Sequence, residues 1–141
     1  MHEGLHNLAI TCIATSDDGQ RIVTGSKDAA INVWFYHKES NIVSNSGHGT
    51  RRKLRLIGSL CAHTNEITAL ALSNKLGIIV SGSNDCSAII WDMHRLCLVK
   101  QLPGRYTSPV TSASISDEST NILTISGYTM VNIFVCLITC A

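Results

Sequence analysis

The apolar positions of this chain fall into short runs that turn-forming residues separate. Residues 10–15, 21–25 and 67–72 are three such runs, and the segment 16–19, Ser-Asp-Asp-Gly, divides the first two. Turn residues of these types end a strand and reverse the chain. No stretch repeats its apolar residues with a sustained helical period. The pattern therefore predicts an all-β protein of short strands rather than alternating strands and helices.

The sequence also repeats itself. Residues 6–34 and 63–91, aligned without gaps, share far more identities than unrelated segments would. The identical pairs are His6/His63, Ile10/Ile67, Thr11/Thr68, Ala14/Ala71, Ser16/Ser73, Ile22/Ile79, Val23/Val80, Gly25/Gly82, Ser26/Ser83, Asp28/Asp85 and Trp34/Trp91. Each copy predicts three strands, the last of which ends at Trp34 or Trp91. A fourth strand is expected to follow each copy.

A loop insertion and a decayed third copy complete the predicted organisation. We expect one unit at residues 1–60 with an inserted loop at 36–52, a second at 61–102, and a degenerate, truncated third at 103–141. Without the insertion, the spacing of the first two copies approaches the roughly 40–45 residues of one propeller blade. In the third unit Phe134 stands at the place of the tryptophan, and the turn aspartate is missing.

The residues shared by the copies resemble WD40 repeats. The pattern is a histidine before the first strand, Ser-Gly-Ser or Thr-Gly-Ser, a turn aspartate, and a closing tryptophan. The short motifs at residues 80–85, 89–92 and 108–111 also resemble the C-terminal propeller of BEACH-domain proteins. Among these proteins, the lysosomal-trafficking-regulator branch is most alike. The resemblance implies a partial β-propeller of about three four-stranded antiparallel blades. Three blades cannot close a ring as a single chain, because propellers use four to eight.

The resemblance also implies one hydrogen-bonded polar network in each blade. The residues expected in these networks are His6, Thr24, Asp28 and Trp34 in the first copy and His63, Ser81, Asp85 and Trp91 in the second. His, Ser and Asp are also the residue types of a hydrolase triad. We favour the structural interpretation, because an active site is not expected once per repeat and no Gly-x-Ser-x-Gly motif is present.

Composition excludes some partners. The formal net charge is +1 and 15% of residues are charged, so no overall attraction to nucleic acid is expected. A local basic cluster, Arg51, Arg52 and Lys53 with Arg55, could contact phosphate, although a solvated loop edge is the favoured interpretation. Arg51, Arg52 and Lys53 are nevertheless the candidate residues for binding a partner, because loops on rigid scaffolds often carry function.

The six scattered cysteines favour reduced, mostly buried thiols in a cytoplasmic protein. The pairs Cys61/His63 and His94/Cys97 could in principle bind zinc, but they lack the two close Cys-x-x-Cys type knuckles of a strong site. We expect no metal and no cofactor. No apolar run is long enough to span a bilayer, so membrane association would be peripheral, through a larger parent protein.

The sequence therefore predicts a non-catalytic scaffold that binds other proteins or peptides, and the BEACH resemblance implies a role in vesicle or lysosome trafficking. Two alternatives stay open: a hydrolase that uses the His/Ser/Asp sets, and a fragment without an independent function. Gly25, Gly82 and Gly127 are expected to permit close packing between strands. The chain is either a fragment, a truncated product, or part of an assembly that closes a ring between chains.

Overall fold

The computed structural model describes residues 5–39, 51–102, 108–118, 121–126 and 130–135. These residues form strands and turns, and no helix occurs among them. The strands belong to three separate sheets, two of four strands and one of three. The prediction of an all-β fold built from antiparallel, four-stranded sheets that do not close into a ring is thereby confirmed.

Each sheet is a meander in which every strand pairs antiparallel with the next strand along the chain. The first sheet contains β1 (Ile10–Thr15), β2 (Arg21–Ser26), β3 (Ala30–Glu39) and β4 (Arg51–Cys61). The second contains β5 (Ile67–Ser73), β6 (Ile78–Ser83), β7 (Ala88–Asp92) and β8 (Cys97–Gln101). The third contains β9 (Val110–Ser116), β10 (Asn121–Ser126) and β11 (Met130–Val135).

The first strand pair has the same register in all three sheets. The equivalent pairs are Ile10 with Ser26, Ile67 with Ser83, and Val110 with Ser126. The pairing shifts next to each of these residues, at a β-bulge. The repetition in sequence is thus a repetition of backbone structure, down to the position of an irregularity.

The register of the third sheet places an isoleucine where the other two sheets have a glycine. Gly25 lies opposite Cys12, and Gly82 lies opposite Ala69. The corresponding position in β10, opposite Ser112, is Ile125. Gly127, for which close packing between strands is also expected, lies outside the described residues.

The insertion is shorter than we expected. β3 does not end at Trp34 but continues to Glu39, and β4 already begins at Arg51, so residues 36–39 and 51–52 belong to strands. The two strands stay paired over this whole length. Cross-strand backbone hydrogen bonds therefore extend the hairpin beyond Trp34, although the polar composition of residues 36–52 is typical of a loop. Residues 40–50 lie outside the described part.

The sheets pack face to face, and the core lies between them. One apolar cluster joins the first and second sheets, and its largest members include Ile31, Leu60, Ile67 and Ile79. A second cluster joins the second and third sheets and contains Ile90, Val110 and Ile122 among others. The second sheet is therefore covered on both faces.

Two glycines allow the sheets to approach. A Cβ atom on Gly25 would lie 2.6 Å from Cγ2 of Ile67 in the next sheet, and one on Gly82 would lie 2.3 Å from Cγ1 of Val110. Such distances are shorter than any ordinary carbon contact. The close packing predicted for these two glycines is confirmed, and it joins neighbouring sheets rather than strands within one sheet.

Candidate functional site

The second sheet holds four polar or indole side chains in one continuous hydrogen-bonded chain. Trp91 Nε1 lies 2.8 Å from Ser81 Oγ, and the same oxygen lies 2.8 Å from His63 Nε2. His63 Nδ1 lies 2.9 Å from Asp85 Oδ2. Strands β6 and β7 supply Ser81 and Trp91, whereas the loop before β5 supplies the histidine and the β6–β7 turn supplies the aspartate.

The chemistry of the four groups determines which of them donates each hydrogen bond. The indole N–H of Trp91 can only donate, so Ser81 Oγ accepts from it. Ser81 then donates its hydroxyl proton to Nε2 of a neutral His63, and the Nδ1–H of His63 donates to Asp85. Every donor in the series has an acceptor, and the series ends on a carboxylate. Such satisfaction matters because each unpaired buried polar group costs about 1–3 kcal/mol.

Burial sets the protonation of this network. Removal of His63 from water lowers its pKa below the ordinary value, although the hydrogen bond and charge of Asp85 act in the opposite direction. Burial also disfavours the charged form of Asp85, but hydrogen bonds from Ser87, the Thr64 N–H and His63 outweigh it, and the pKa of Asp85 is lowered. The stable state is therefore a neutral imidazole beside an ionised carboxylate.

The first sheet holds the equivalent network. Trp34 Nε1 lies 2.9 Å from Thr24 Oγ1, which lies 2.8 Å from His6 Nε2. The contact from His6 Nδ1 to Asp28 is longer, at 3.3 Å to Oδ2. Burial opposes ionisation of Asp28, but hydrogen bonds from backbone N–H groups and Ser26 prevail and lower its pKa. The structure thus brings together all four residues named for each copy.

The Ser81–His63–Asp85 arrangement has the connectivity of a hydrolase triad, but its oxygen is inaccessible. Ser81 is fully buried, and its Oγ already accepts the indole N–H of Trp91. A substrate carbonyl would have to reach Oγ through the packed interface with the first sheet, to which Trp91 and Ile79 belong. The geometry suits a clamp that joins a loop, a turn and two strands.

Two serines that the sequence did not predict as members of the networks also take part. Ser83 Oγ donates to the carbonyl oxygens of Asn65 and Glu66 and accepts the backbone N–H of Asp85. In the first copy Ser26 bonds Leu8 and Asp28 in the same way. Both serines are fully buried. Ser26 and Ser83 are an identical pair in the alignment of the two copies, and this pair was the sequence signal that could have revealed their role.

A pair of threonines connects the sheets. Thr11 Oγ1 donates to the carbonyl oxygen of Ile67, and Thr68 Oγ1 donates to that of Val110. In each case the acceptor residue is also the one that packs on the glycine of the neighbouring sheet. The same junction is therefore built twice, from a threonine, a glycine and a branched apolar side chain.

The basic cluster lies on β4. Arg51 pairs in register with Glu39, Arg52 with Lys38, and Lys53 with His37, in the part of the hairpin beyond Trp34. The side chains of Arg52 and Lys53 are exposed. The three candidate partner-binding residues thus lie together on one strand, away from both polar networks.

The described residues also include four cysteine thiols, which lie outside the polar networks. Cys12, Cys61, Cys86 and Cys97 are free thiols, of which Cys61 and Cys97 are exposed. Burial raises the pKa of Cys12, against weaker effects of Thr11 and Gly25. Over the residues with described positions, no group of three metal-ligating side chains comes together. The same residues include no helix with the length and apolarity of a membrane span.

Comparison with known proteins agrees with this architecture. Residues 4–34 and 54–92 match the family described as WD domain, G-beta repeat. BEACH domain-containing protein A2 of Arabidopsis thaliana is 41% identical over 127 residues, which is 89% of this chain. The lysosomal-trafficking regulator of Homo sapiens is 36% identical over 116 residues, 82% of the chain. The chain spans only 3% of the length of each relative.

The fold has solved counterparts as well. The structure of U3-55K superimposes with a TM-score of 0.74 at 18% identity, and the match covers 94% of this chain and 37% of that one. At this identity the likeness concerns the fold alone. The matched repeats, the meander sheets and the paired polar networks identify the chain as a member of the WD40-repeat family, with a partial β-propeller fold and similarity to BEACH-domain proteins.

Proposed function

We propose that this chain is a non-catalytic interaction platform, and that it serves within a BEACH-WD40 type of protein in vesicle or lysosome trafficking. The observation that carries the proposal is the duplication of the polar network. The first and second sheets each hold a set of His, Asp, hydroxyl and Trp, with the hydroxyl oxygen already occupied by an indole N–H. Repeated internal clamps make rigid sheets, and rigid sheets present loops and edges to partners.

The trafficking part rests on similarity to relatives, one of which is named a lysosomal-trafficking regulator. The partners are other proteins or peptides, and Arg51, Arg52 and Lys53 on β4 are the residues that we propose contact them. We place the protein in the cytoplasm, a compartment in which exposed thiols such as Cys61 and Cys97 stay reduced. Membrane association, where it occurs, would be peripheral and through a larger parent protein.

The serine hydroxyl separates the platform from a hydrolase. Ser81→Ala leaves His63 Nε2 and the Trp91 indole N–H without their shared partner in a buried site. We expect a loss of about 1–3 kcal/mol in the free energy of unfolding, and no ester turnover by either protein. Chemical denaturation and a panel of chromogenic esters measure the two quantities. Turnover by the natural chain that Ser81→Ala abolishes, with stability unchanged, would contradict the proposal.

Partner capture tests the platform itself. The immobilised chain is exposed to cell extract, and retained proteins are quantified against empty resin and against the triple variant Arg51→Ala/Arg52→Ala/Lys53→Ala. We expect a set of proteins that the natural chain retains and the triple variant loses. Equal retention by both would remove these three residues from the site. Retention no greater than that of empty resin would contradict the interaction function as a whole.

A further inference from the structure

Strand β4 is the last strand of the first sheet, and no described strand pairs with its outer edge. It is eleven residues long, whereas β8, the edge strand at the same place in the second sheet, has five. An edge of such length offers a row of backbone N–H and C=O groups to an additional strand. Strand addition of this kind gives affinity through main-chain hydrogen bonds and specificity through alternate side chains.

The side chains on both sides of this edge have a defined arrangement. On one face Lys53 lies opposite His37 and Arg55 opposite Phe35, and on the other Arg52 lies opposite Lys38 and Leu54 opposite Tyr36. The three cations of β4 in these pairs, and Lys38, are exposed. Leu54 is 50% exposed, although it is apolar. One face of the edge is thus cationic, and the other carries the exposed apolar side chain of Leu54 next to Arg52.

Among the side chains that the structure describes, the cations have no ion-pair partner. No carboxylate group of these side chains lies within ion-pair distance of Arg52, Lys53 or Arg55. Lys38 and Arg52 lie directly opposite each other, an arrangement of like charges that destabilises a strand pair. A negatively charged strand beside β4 would convert this repulsion into attraction.

The cationic face is supported by aromatic rings. The guanidinium of Arg21 lies 6.0 Å from the centre of the Phe35 ring, and Phe35 stacks on His37 with 5.9 Å between ring centres. Nδ1 of His37 is buried and has no hydrogen-bond partner among the described residues. Three strands therefore contribute cations and aromatic rings to one face. In the described part of the chain, the hydrogen-bonding capacity of this ring nitrogen of His37 is unused.

We infer that the outer edge of β4 binds an extended acidic peptide of a partner protein, added to the sheet as a further strand. The inference rests on the proposed function and gives its partner a chemical class. Lys53 and Arg55 are two residues apart, a spacing of about 6.6–6.8 Å along a strand. Acidic residues at every second position of the peptide have the same spacing, and the residues between them face the side that carries Leu54.

The test uses the full chain and a fluorescein-labelled peptide of alternating Glu and Val. Fluorescence anisotropy measures its dissociation constant at low and at physiological salt. We expect saturable binding that the variant Arg52→Glu/Lys53→Glu/Arg55→Glu weakens about tenfold or more, since removed attraction is replaced by repulsion. The matched control Lys27→Glu/Lys75→Glu/Lys100→Glu changes the net charge equally at exposed sites elsewhere, and we expect less than about a twofold change.

A second peptide has the same composition with its Glu and Val residues in two separate blocks. Equal affinity for the blocked and alternating peptides would overturn strand addition. Equal weakening by the β4 and control variants would overturn a specific site, and so would binding to phosphatidylserine vesicles with none to the peptide. Backbone amide exchange provides a direct readout, because the added strand is expected to protect β4 amides and leave β8 amides unchanged.

The neutral variant Arg52→Gln/Lys53→Gln/Arg55→Gln covers the case in which charge reversal disrupts folding. Its circular dichroism spectrum and melting temperature show whether the sheet is intact, and it is expected to bind several-fold more weakly than the natural chain. Unchanged affinity in this folded variant would overturn the inference. Partner capture that survives in the same variant would leave the interaction platform standing and reject only the acidic-peptide edge.

Discussion

The first and second sheets have nearly the same backbone and the same polar network, but they differ in what covers them. Ile67 in the second sheet is 0% exposed, whereas Ile10, its equivalent in the first, is 59% exposed. Trp91 is 2% exposed, and Trp34 is only half-buried. The second sheet is packed between two neighbours, whereas the face of the first sheet that carries Ile10 and Trp34 has no described neighbour.

Part of each polar network depends on the sequence of its own repeat, and part depends on the sheets that pack against it. The hydroxyl–histidine distance is 2.8 Å in both sheets, so the local sequence is sufficient to assemble that part of the network. The histidine–aspartate distance shortens from 3.3 Å in the open sheet to 2.9 Å in the covered one. Burial therefore accompanies a tighter network, and the stability of each network is expected to depend on its cover.

The largest expected difference between the sheets is at the equivalent isoleucines. Ile67→Ala removes a fully buried side chain from the junction with Gly25, and we expect a loss of about 2–5 kcal/mol in the free energy of unfolding. Ile10→Ala removes an exposed side chain, and we expect a change within about 0.5 kcal/mol. Urea denaturation of both variants measures the difference. Similar losses would show that the open face is covered in solution.

A smaller effect is expected in the dependence of the free energy of unfolding on pH. The folded-state pKa of His63 lies below its unfolded value, so unfolding takes up a proton and the free energy of unfolding falls as the pH drops through about 6.5. The carboxylates of Asp28 and Asp85 also have lowered pKa values, and their contribution is lost at lower pH, below about 4.

Denaturation between pH 7.5 and 5.5 checks the histidine effect. We expect the natural chain to lose stability over this range and His63→Gln to lose less, with the exposed His94→Gln as the matched control. An NMR titration of the His63 ring gives its pKa directly. A value above 6.5 would contradict a buried neutral imidazole and reverse the sign of the expected slope.

The smallest effect is expected to be equal in the two sheets. Ala29 and Cys86 follow the turn aspartates and have φ angles of 65° and 64°, in the left-handed region that disfavours any side chain. Glycine at either position relieves this strain but adds freedom to the unfolded chain, so we expect a net gain of up to about 1 kcal/mol. Thermal melts of Ala29→Gly and Cys86→Gly measure it, and clearly unequal gains would show that the two hairpins differ.

The sequence predicted the features that lie within one repeat. Identities such as His6/His63 and Trp34/Trp91 gave the strands and identified the residues that the structure brings together. Features that depend on pairing across distance were missed. The continuation of β3 to Glu39 depends on its partner strand. The isoleucine that takes the glycine position in the third sheet is set by register, which a decayed repeat without its turn aspartate no longer indicates. The sheet junctions were only partly anticipated, because the partners of Gly25 and Gly82 lie in other repeats.

The third sheet places an isoleucine, Ile125, where the other two sheets have their junction glycine. Gly25 and Gly82 admit the branched side chains of Ile67 and Val110 because neither glycine has a Cβ atom. A residue with a Cβ atom closes this approach, so the junction that joins the first sheet to the second, and the second to the third, is not expected to be repeated in the same form at Ile125. The close stacking of the sheets is therefore encoded one glycine at a time.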